Sequence, residues 1–269
     1  MIRDRWTSLE ALVRSVPDGA SIATGGFMLG RAPLALVFEL IRQERRGLRL
    51  LSLPNPLSAE LLIAGGCLRR VEFPFGAISV AGRVRSMPCL KRAIEQSKIE
   101  WVEHDGYRVV QRLRAAAMGL PFIPAPDIDA SALTELEPVR YAEDPFTGLK
   151  VPVEQAYSPD VALIHAHLAD DQGNLFIEDP TTDLLIAGAS TRVLATAEKR
   201  VARLTRVTVP SFQVDAVAQV RGGALPTGCV GDYDYDEAAL LEYLELAEAG
   251  REAEWLRARV LSPLTAVAA

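Results

Sequence analysis

Short apolar runs alternate with helical stretches of about ten residues through the first half of the chain, and few folds accommodate that order. Ser21 to Thr24, Leu48 to Leu53, Val71 to Ile78 and Ile99 to His104 read as strands. Between and after them, Pro33 to Arg46, a helix capped by Ser58 and running to Ala64, Met87 to Gln96 and Tyr107 to Met118 carry apolar residues at helical spacing. Strands joined through helices imply right-handed βαβ crossovers, so the fold class is α/β with an open, mainly parallel sheet flanked by helices. Thr7 or Ser8 caps a helix before the first strand, and Asp105 is placed to cap the one that starts at Tyr107.

From Pro121 to Pro159 the alternation stops and prolines mix with acids. Phe122, Ile123, Tyr141, Phe146 and Tyr157 are too many apolar anchors for a free linker, so residues 121–159 read as a structured excursion or an interface arm. Order resumes at Asp160 to Leu168; a tight turn at residues 170–174 then sends Leu175 to Ile177 back as an antiparallel hairpin. Asp183 to Ala189 is a short helix, and Arg192 to Ala197 and Val207 to Val209 are strands. Phe212 to Val220 alternates as a half-solvated antiparallel strand would. Residues 222–228 form a second glycine-rich loop, and Asp236 to Val260 reads as one long surface helix. With 269 residues, 49% of them apolar, the chain can bury one full core and is read as a single domain, residues 1–269.

A formal charge of −6 and the absence of a basic run argue against a nucleic-acid surface. No apolar run approaches the ~18 residues of a membrane span, and the charged N-terminus lacks a following apolar segment, so a cytoplasmic protein is expected. Cys67, Cys89 and Cys229 are far apart and in no paired motif, which suggests buried reduced thiols rather than disulfides or a zinc knuckle.

Chemistry concentrates at Ser21-Ile-Ala-Thr-Gly25-Gly26-Phe27-Met28-Leu-Gly30-Arg31-Ala-Pro33. Glycines at a strand's carboxyl end let a ligand approach the backbone, Pro33 suits the first turn of a helix, and free N–H groups there would suit an anion. The alternative is a tight strand-to-helix connection without a ligand. The spacing fits neither a dinucleotide fingerprint nor a P-loop. His165 and His167 share a strand face and could bind a metal given a third ligand, but a satisfied core pair is preferred, because Asp170 and Asp171 belong to the adjacent turn. Glu103 stands where a strand delivers its carboxyl end and is the candidate acid or base, with a solvated acid beside a helix cap as the alternative. No nucleophile motif accompanies it.

The run Asp18-Gly-x-x-x-x-x-Gly25-Gly-Phe27-x-x-Gly30-x-x-Pro33 resembles the A-subunit signature of class I coenzyme A transferases. Arg112-Leu-Arg-Ala-Ala-Ala-Met-Gly-Leu-Pro-Phe-Ile-Pro124, Pro159-Asp-Val-Ala-Leu-Ile-His165 and Pro210-Ser-Phe-Gln-Val-Asp-Ala216 are similar to the glutaconate branch, as are Pro226-Thr-Gly and Tyr233-Asp-Tyr-Asp236. The resemblance implies a class I CoA-transferase-like domain that pairs with a homologous B subunit, in an A2B2 heterotetramer. The covalent glutamate belongs to the B subunit, and its Ser-Glu-Asn-Gly motif is absent here. Within the branch, Glu-His-Asp-Gly-Tyr-Arg-Val-Val, Asp-Pro-Thr-Thr-Asp183 and Leu-Pro-Thr-Gly-Cys229 look most like members that decarboxylate 3-methylglutaconyl-CoA to 3-methylcrotonyl-CoA. Thr24 and Leu225 depart from the transferase pattern in the same direction. Glutaconate-type transfer of CoA between acids is the runner-up, and a non-catalytic scaffold role the third reading.

On the decarboxylase reading Gly25, Gly26 and Gly30 shape the pocket and Phe27 and Met28 wall its acyl end; Arg31 is the nearest cation in sequence, with an orientation to solvent as the alternative. Asn55, Phe75 and Gly76 complete the candidate substrate-binding set. The coenzyme A thioester is substrate, and neither a metal nor an organic cofactor is expected. A valine at Gly26 should remove activity and leave folding largely intact.

Overall fold

The structure is a computed structural model that describes residues 4–125 and 138–261. Its central sheet runs, in spatial order, β13 (Ala216–Gln219), β12 (Arg192–Val201), β10 (Val161–Asp170), β1 (Ser21–Thr24), β2 (Leu48–Ser52), β3 (Leu68–Phe73) and β6 (Glu100–Glu103), with every neighbouring pair parallel. β11 (Leu175–Phe176) pairs antiparallel with β10, the hairpin expected in the second half. The order proceeds outward from β1 to β6 on one side and from β10 to β13 on the other. It therefore reverses between β1 and β10, and the crevice at the carboxyl ends of such a pair is where open α/β sheets take ligands.

Alternation along the strands divides the core in two. Ile22, Leu50, Leu163 and Leu194 face the layer of α1 (Leu9–Arg14), α2 (Leu34–Arg42), α3 (Pro56–Ala64), α4 (Pro88–Glu95), α7 (Glu237–Glu248) and α8 (Glu252–Leu256). Ala23, Leu51, Ala162, Ile164 and Ala195 face α5 (Gly106–Ala117) and α6 (Asp183–Ala189). Burial on both faces explains why β1 and β10 read as continuous apolar runs.

Several boundaries differ from the sequence expectation for local reasons. α2 stops at Arg42 because Glu44 takes a left-handed φ of 53°, with the Arg45 N–H returning to Leu40 O. Asn55, not Ser58, caps α3, with Pro56 in the first turn. The expected strand from Val71 to Ile78 ends at Phe73, and β4 (Ala77–Val80) and β5 (Arg83–Ser86) form a separate hairpin turned by Ala81 and Gly82, both at positive φ. β13 is parallel to β12, not antiparallel. It lies at the edge of the central sheet, with Val217 and Ala218 buried and its outer side bridged by Trp6 at Val217. The expected strand at Val207 to Val209 is only a bridge from Val209 to Leu175. Gly250, at a φ of 73°, separates α7 from α8, so the long terminal helix is two.

The described residues of the proline-rich excursion include three strands. β7 (Phe122–Pro124), β9 (Lys150–Gln155) and β8 (Arg140–Glu143) make a three-stranded antiparallel sheet in that spatial order. Buried Arg108 on α5 pairs with Glu154 of β9 and ties this sheet to the domain. Residues 126–137 of the expected arm lie outside the described residues.

Candidate active site

Two glycine-rich loops, residues 25–32 and 222–228, meet at the carboxyl ends of β1 and β10. The Arg31 N–H donates to Gly228 O at 2.6 Å and the Gly228 N–H to Leu29 O at 2.8 Å. Ala32 N–H bonds Thr227 Oγ1 at 3.1 Å, and Ala35 N–H bonds Gly223 O at 2.8 Å. The two loops singled out in the sequence are thus one structural unit.

That unit leaves little backbone for an anion. The N–H groups of Gly25, Gly26, Phe27, Met28 and Gly30 donate to Leu163 O, Asp183 Oδ1, Gly30 O, Pro54 O and Phe27 O. Leu34 and Ala35, at the start of α2, donate to Ala32 O and Gly223 O. The expected anion cradle is therefore not formed, because the loop's donors hold the loop itself. Met28 and Arg31 sit at φ 52° and 55°, left-handed conformations uncommon in residues other than glycine, and the bonded frame holds them there. A Cβ on Gly25 would overlap the Asp183 carboxylate, and one on Gly26, at φ 78°, would overlap the Arg31 carbonyl.

Arg31 is the centre of the frame. Its side chain is 1% exposed, and all five N–H donors are spent: Nε on Asp179 Oδ1, Nη1 on His165 O and Asp183 Oδ1, Nη2 on Asp179 O and Asp183 Oδ2. Burial alone would lower its pKa; the Asp183 and Asp179 carboxylates outweigh that and raise it. The structure places Arg31 as a brace with no donor left for a ligand.

Asn55 joins this brace from the end of β2, donating Nδ2–H to Gly25 O at 2.7 Å. Phe27 is half exposed and Met28 partly so, and Gly30 lies between the loops. Phe75, exposed, and Gly76 follow β3 farther along the same edge, where Glu103 is exposed beside Phe73. β6 is three strands from β1, about 14 Å at the usual ~4.8 Å spacing, so the structure makes two groups of the candidate residues.

A closed polar node supports the second loop. His165 Nε2 meets Glu198 Oε1 at 2.7 Å and its Nδ1 meets Thr196 Oγ1 at 2.8 Å. Glu198 also accepts the N–H of Gly222 at 2.8 Å, the N–H of Gly223 at 3.1 Å and the Tyr233 hydroxyl at 2.5 Å. Burial would raise the Glu198 pKa, but His165, Tyr233 and Gly222 together hold it at about 2. Burial lowers that of His165 and pushes the nearby Cys229 thiol up to about 12. Donor atoms of His165, Glu198 and Cys229 lie within 4.8 Å of one another, yet Glu198 Oε1 already takes three hydrogen bonds and the thiol is held protonated. His167 turns elsewhere, its Nε2 on Val230 O and its Nδ1 on the Glu178 N–H. The pair therefore does not converge as metal ligands would. A second carboxylate, Glu72, meets His104 at 2.8 Å, Arg70 at 3.0 Å and Arg112 at 3.3 Å. Burial raises it, and these partners bring it to about 2.

The coenzyme A transferase sequence profile matches residues 6–219. The chain belongs to that family. A crystal structure of a variant of the decarboxylase AibA/AibB is 66% identical, with a TM-score of 0.94 and coverage of 96% of this chain and 98% of that one. The A subunit of glutaconate CoA-transferase from Acidaminococcus fermentans is 30% identical over 261 residues, 88% of this chain and 81% of its own. The crystal structure of that organism's glutaconate coenzyme A-transferase superposes with a TM-score of 0.87, at 26% identity. An uncharacterized protein of Archaeoglobus fulgidus is 32% identical over 246 residues, and the present chain spans 54% of its length. The relatives thus include the A subunit of a CoA-transferase.

Asp179, Asp183, Glu198 and Tyr233 were missed as candidates. Asp183 and Tyr233 lie in segments that carry the family resemblance, but nothing local reveals that their partners are on other elements. The three cysteines are free and buried, as expected. Among the described residues no helix is long and apolar enough to cross a membrane.

Proposed function

We propose that this chain is the A subunit of a heteromeric, cytoplasmic acyl-CoA decarboxylase that converts 3-methylglutaconyl-CoA to 3-methylcrotonyl-CoA. The observation that carries the reading is the 66% identity to the AibA/AibB decarboxylase along nearly the full length of both chains. Reduced, buried cysteines support the compartment.

In this reaction the bond to the γ-carboxylate breaks, carbon dioxide leaves, and the electron pair spreads into a dienolate with charge at the thioester oxygen. A proton then returns to the γ-carbon. Loss of the carboxylate is favoured by a poorly solvated site. This chain's part is a rigid apolar wall, Phe27 and Met28, on a loop fixed by Arg31 and Asn55. Because the loop's N–H groups and Arg31 are committed internally, the donors for the thioester oxygen and the proton donor are assigned to a homologous B subunit in an A2B2 assembly. Glu103 is the acid this chain contributes to the same edge. No metal or organic cofactor is required by that scheme.

The second reading, CoA transfer between carboxylic acids, is favoured by the 30% identity to the A subunit of glutaconate CoA-transferase. Transfer passes through an enzyme thioester and needs an acceptor acid. The assembled A/B protein is to be given 3-methylglutaconyl-CoA with and without acetate, and its thioesters followed by mass spectrometry. Formation of 3-methylcrotonyl-CoA without acetate is expected; turnover only with acetate would establish transfer, and no turnover in either case would leave the scaffold reading.

A further inference from the structure

Between the second glycine loop, α2 and α8 lies a groove of about 320 Å³. Its walls are Phe38 of α2, Val220, Leu225 and Pro226 of the loop segment, and Trp255 of α8. At ~30 Å³ for each water-sized group the volume holds about ten heavy atoms, too few for coenzyme A.

The polar side chains of the lining are Arg42, Arg221, Asp236, Trp255 and Arg259. Asp236 is occupied as the cap of α7, accepting the Ala239 N–H. Arg42 and Arg259 are tied to Glu39 and Glu242. Arg221 is exposed and has no carboxylate partner among the described residues. Trp255 is 3% exposed, packs on Phe38 and Tyr243, and its indole N–H has no acceptor among the described residues. The groove thus combines an apolar body with an excess of cationic donors, Arg221 being the arginine of its lining without a carboxylate partner among the described residues. A nucleobase would need acceptors as well as donors along its edge, and the lining offers almost none.

We propose that this groove binds a compact aromatic or branched-chain monocarboxylate, with the carboxylate at Arg221 and the apolar body against Phe38 and Trp255. The site is separate from the substrate crevice and does not rest on the reaction assigned above. It touches the frame of the second loop all the same: Gly222 lines the groove, and its N–H is held by the Glu198 that anchors that loop.

The test is calorimetric titration of the assembled protein with phenylacetate, beside its neutral isostere phenylacetamide and adenosine 3′,5′-bisphosphate. Saturable binding of the acid is expected, weakened at least about tenfold in the amide and in Arg221→Gln, as loss of a charge-assisted hydrogen bond predicts. Because Arg221 is a surface residue, the variant should fold. Equal binding of acid and amide, an unchanged affinity in Arg221→Gln, binding of the bisphosphate alone or no binding at millimolar concentrations would each overturn the proposal.

Discussion

Arg31 and Asp183 form a buried two-point ion pair, Nη1 to Oδ1 at 2.9 Å and Nη2 to Oδ2 at 2.7 Å, that fastens the first glycine loop to the start of α6. Removing one partner strands a charge in the interior. Arg31→Met or Asp183→Leu should each destabilise the protein by about 3–5 kcal/mol, read from chemical denaturation midpoints. The double variant should lose clearly less than the sum of the two, since neither charge is then left alone. Additive losses would show that the pair contributes nothing as a pair.

Gly26 carries a different expectation in the structure than in the motif. From the motif alone a valine there should cost activity and spare the fold. In the structure its Cβ would overlap the Arg31 carbonyl, and the positive φ disfavours any β-branched residue. Gly26→Val should therefore lower the denaturation midpoint and soluble yield as well as activity. A variant that unfolds at the wild-type midpoint would contradict this geometry.

What was legible follows from the range of the interactions. The α/β class and parallel sheet were readable because β1 and β10 are buried on both faces and helices lie between strands. Capping by Asp105 was readable because its partners, the Tyr107 and Arg108 N–H groups, are two and three residues away. The pairing of the two glycine loops was not, since nothing in residues 25–31 specifies residue 228. Nor was the role of Arg31, whose carboxylate partners lie across the fold on and before α6. The β4–β5 hairpin was hidden because Ala81-Gly82 is a weaker turn signal than Asn-Gly or Asp-Gly. The strand direction of β13 was misread because apolar alternation in a sequence does not specify strand direction, and Ala216–Gln219 pairs parallel with β12.

Acid should unfold this protein earlier than its neutral-pH stability suggests. Glu72 and Glu198 are both held at about 2, below an ordinary value of 4.5, so the stability they confer is complete above pH 4.5 and is lost as pH falls toward 2. At 1.36 kcal/mol per pH unit this amounts to at most roughly 3 kcal/mol for each. His165 acts in the same sense: its depressed pKa means that below its ordinary value of 6.5 the unfolded chain takes up a proton that the folded chain refuses. Glu198→Gln should be less stable at pH 7 and show a shallower loss between pH 4.5 and 2. Denaturation midpoints measured across that range test it, and parallel acid limbs for variant and wild type would refute the assignment.

Phe27 separates the role of the loop's face from the role of its frame. Its side chain is 49% exposed, while its backbone N–H and C=O both bond Gly30 across the turn. Truncation to alanine removes the exposed ring and keeps those bonds. Phe27→Ala should leave the stability of the isolated chain within about 0.5 kcal/mol of wild type, as surface substitutions usually do. If the loop walls the acyl end of the substrate at a contact with the B subunit, the same change should lower turnover of the assembled protein at least about tenfold, or weaken assembly measurably by size-exclusion chromatography. Wild-type turnover and assembly in Phe27→Ala would place the reacting carbon away from this loop. Phe75, an exposed aromatic just past the end of β3, would then be the next residue to truncate.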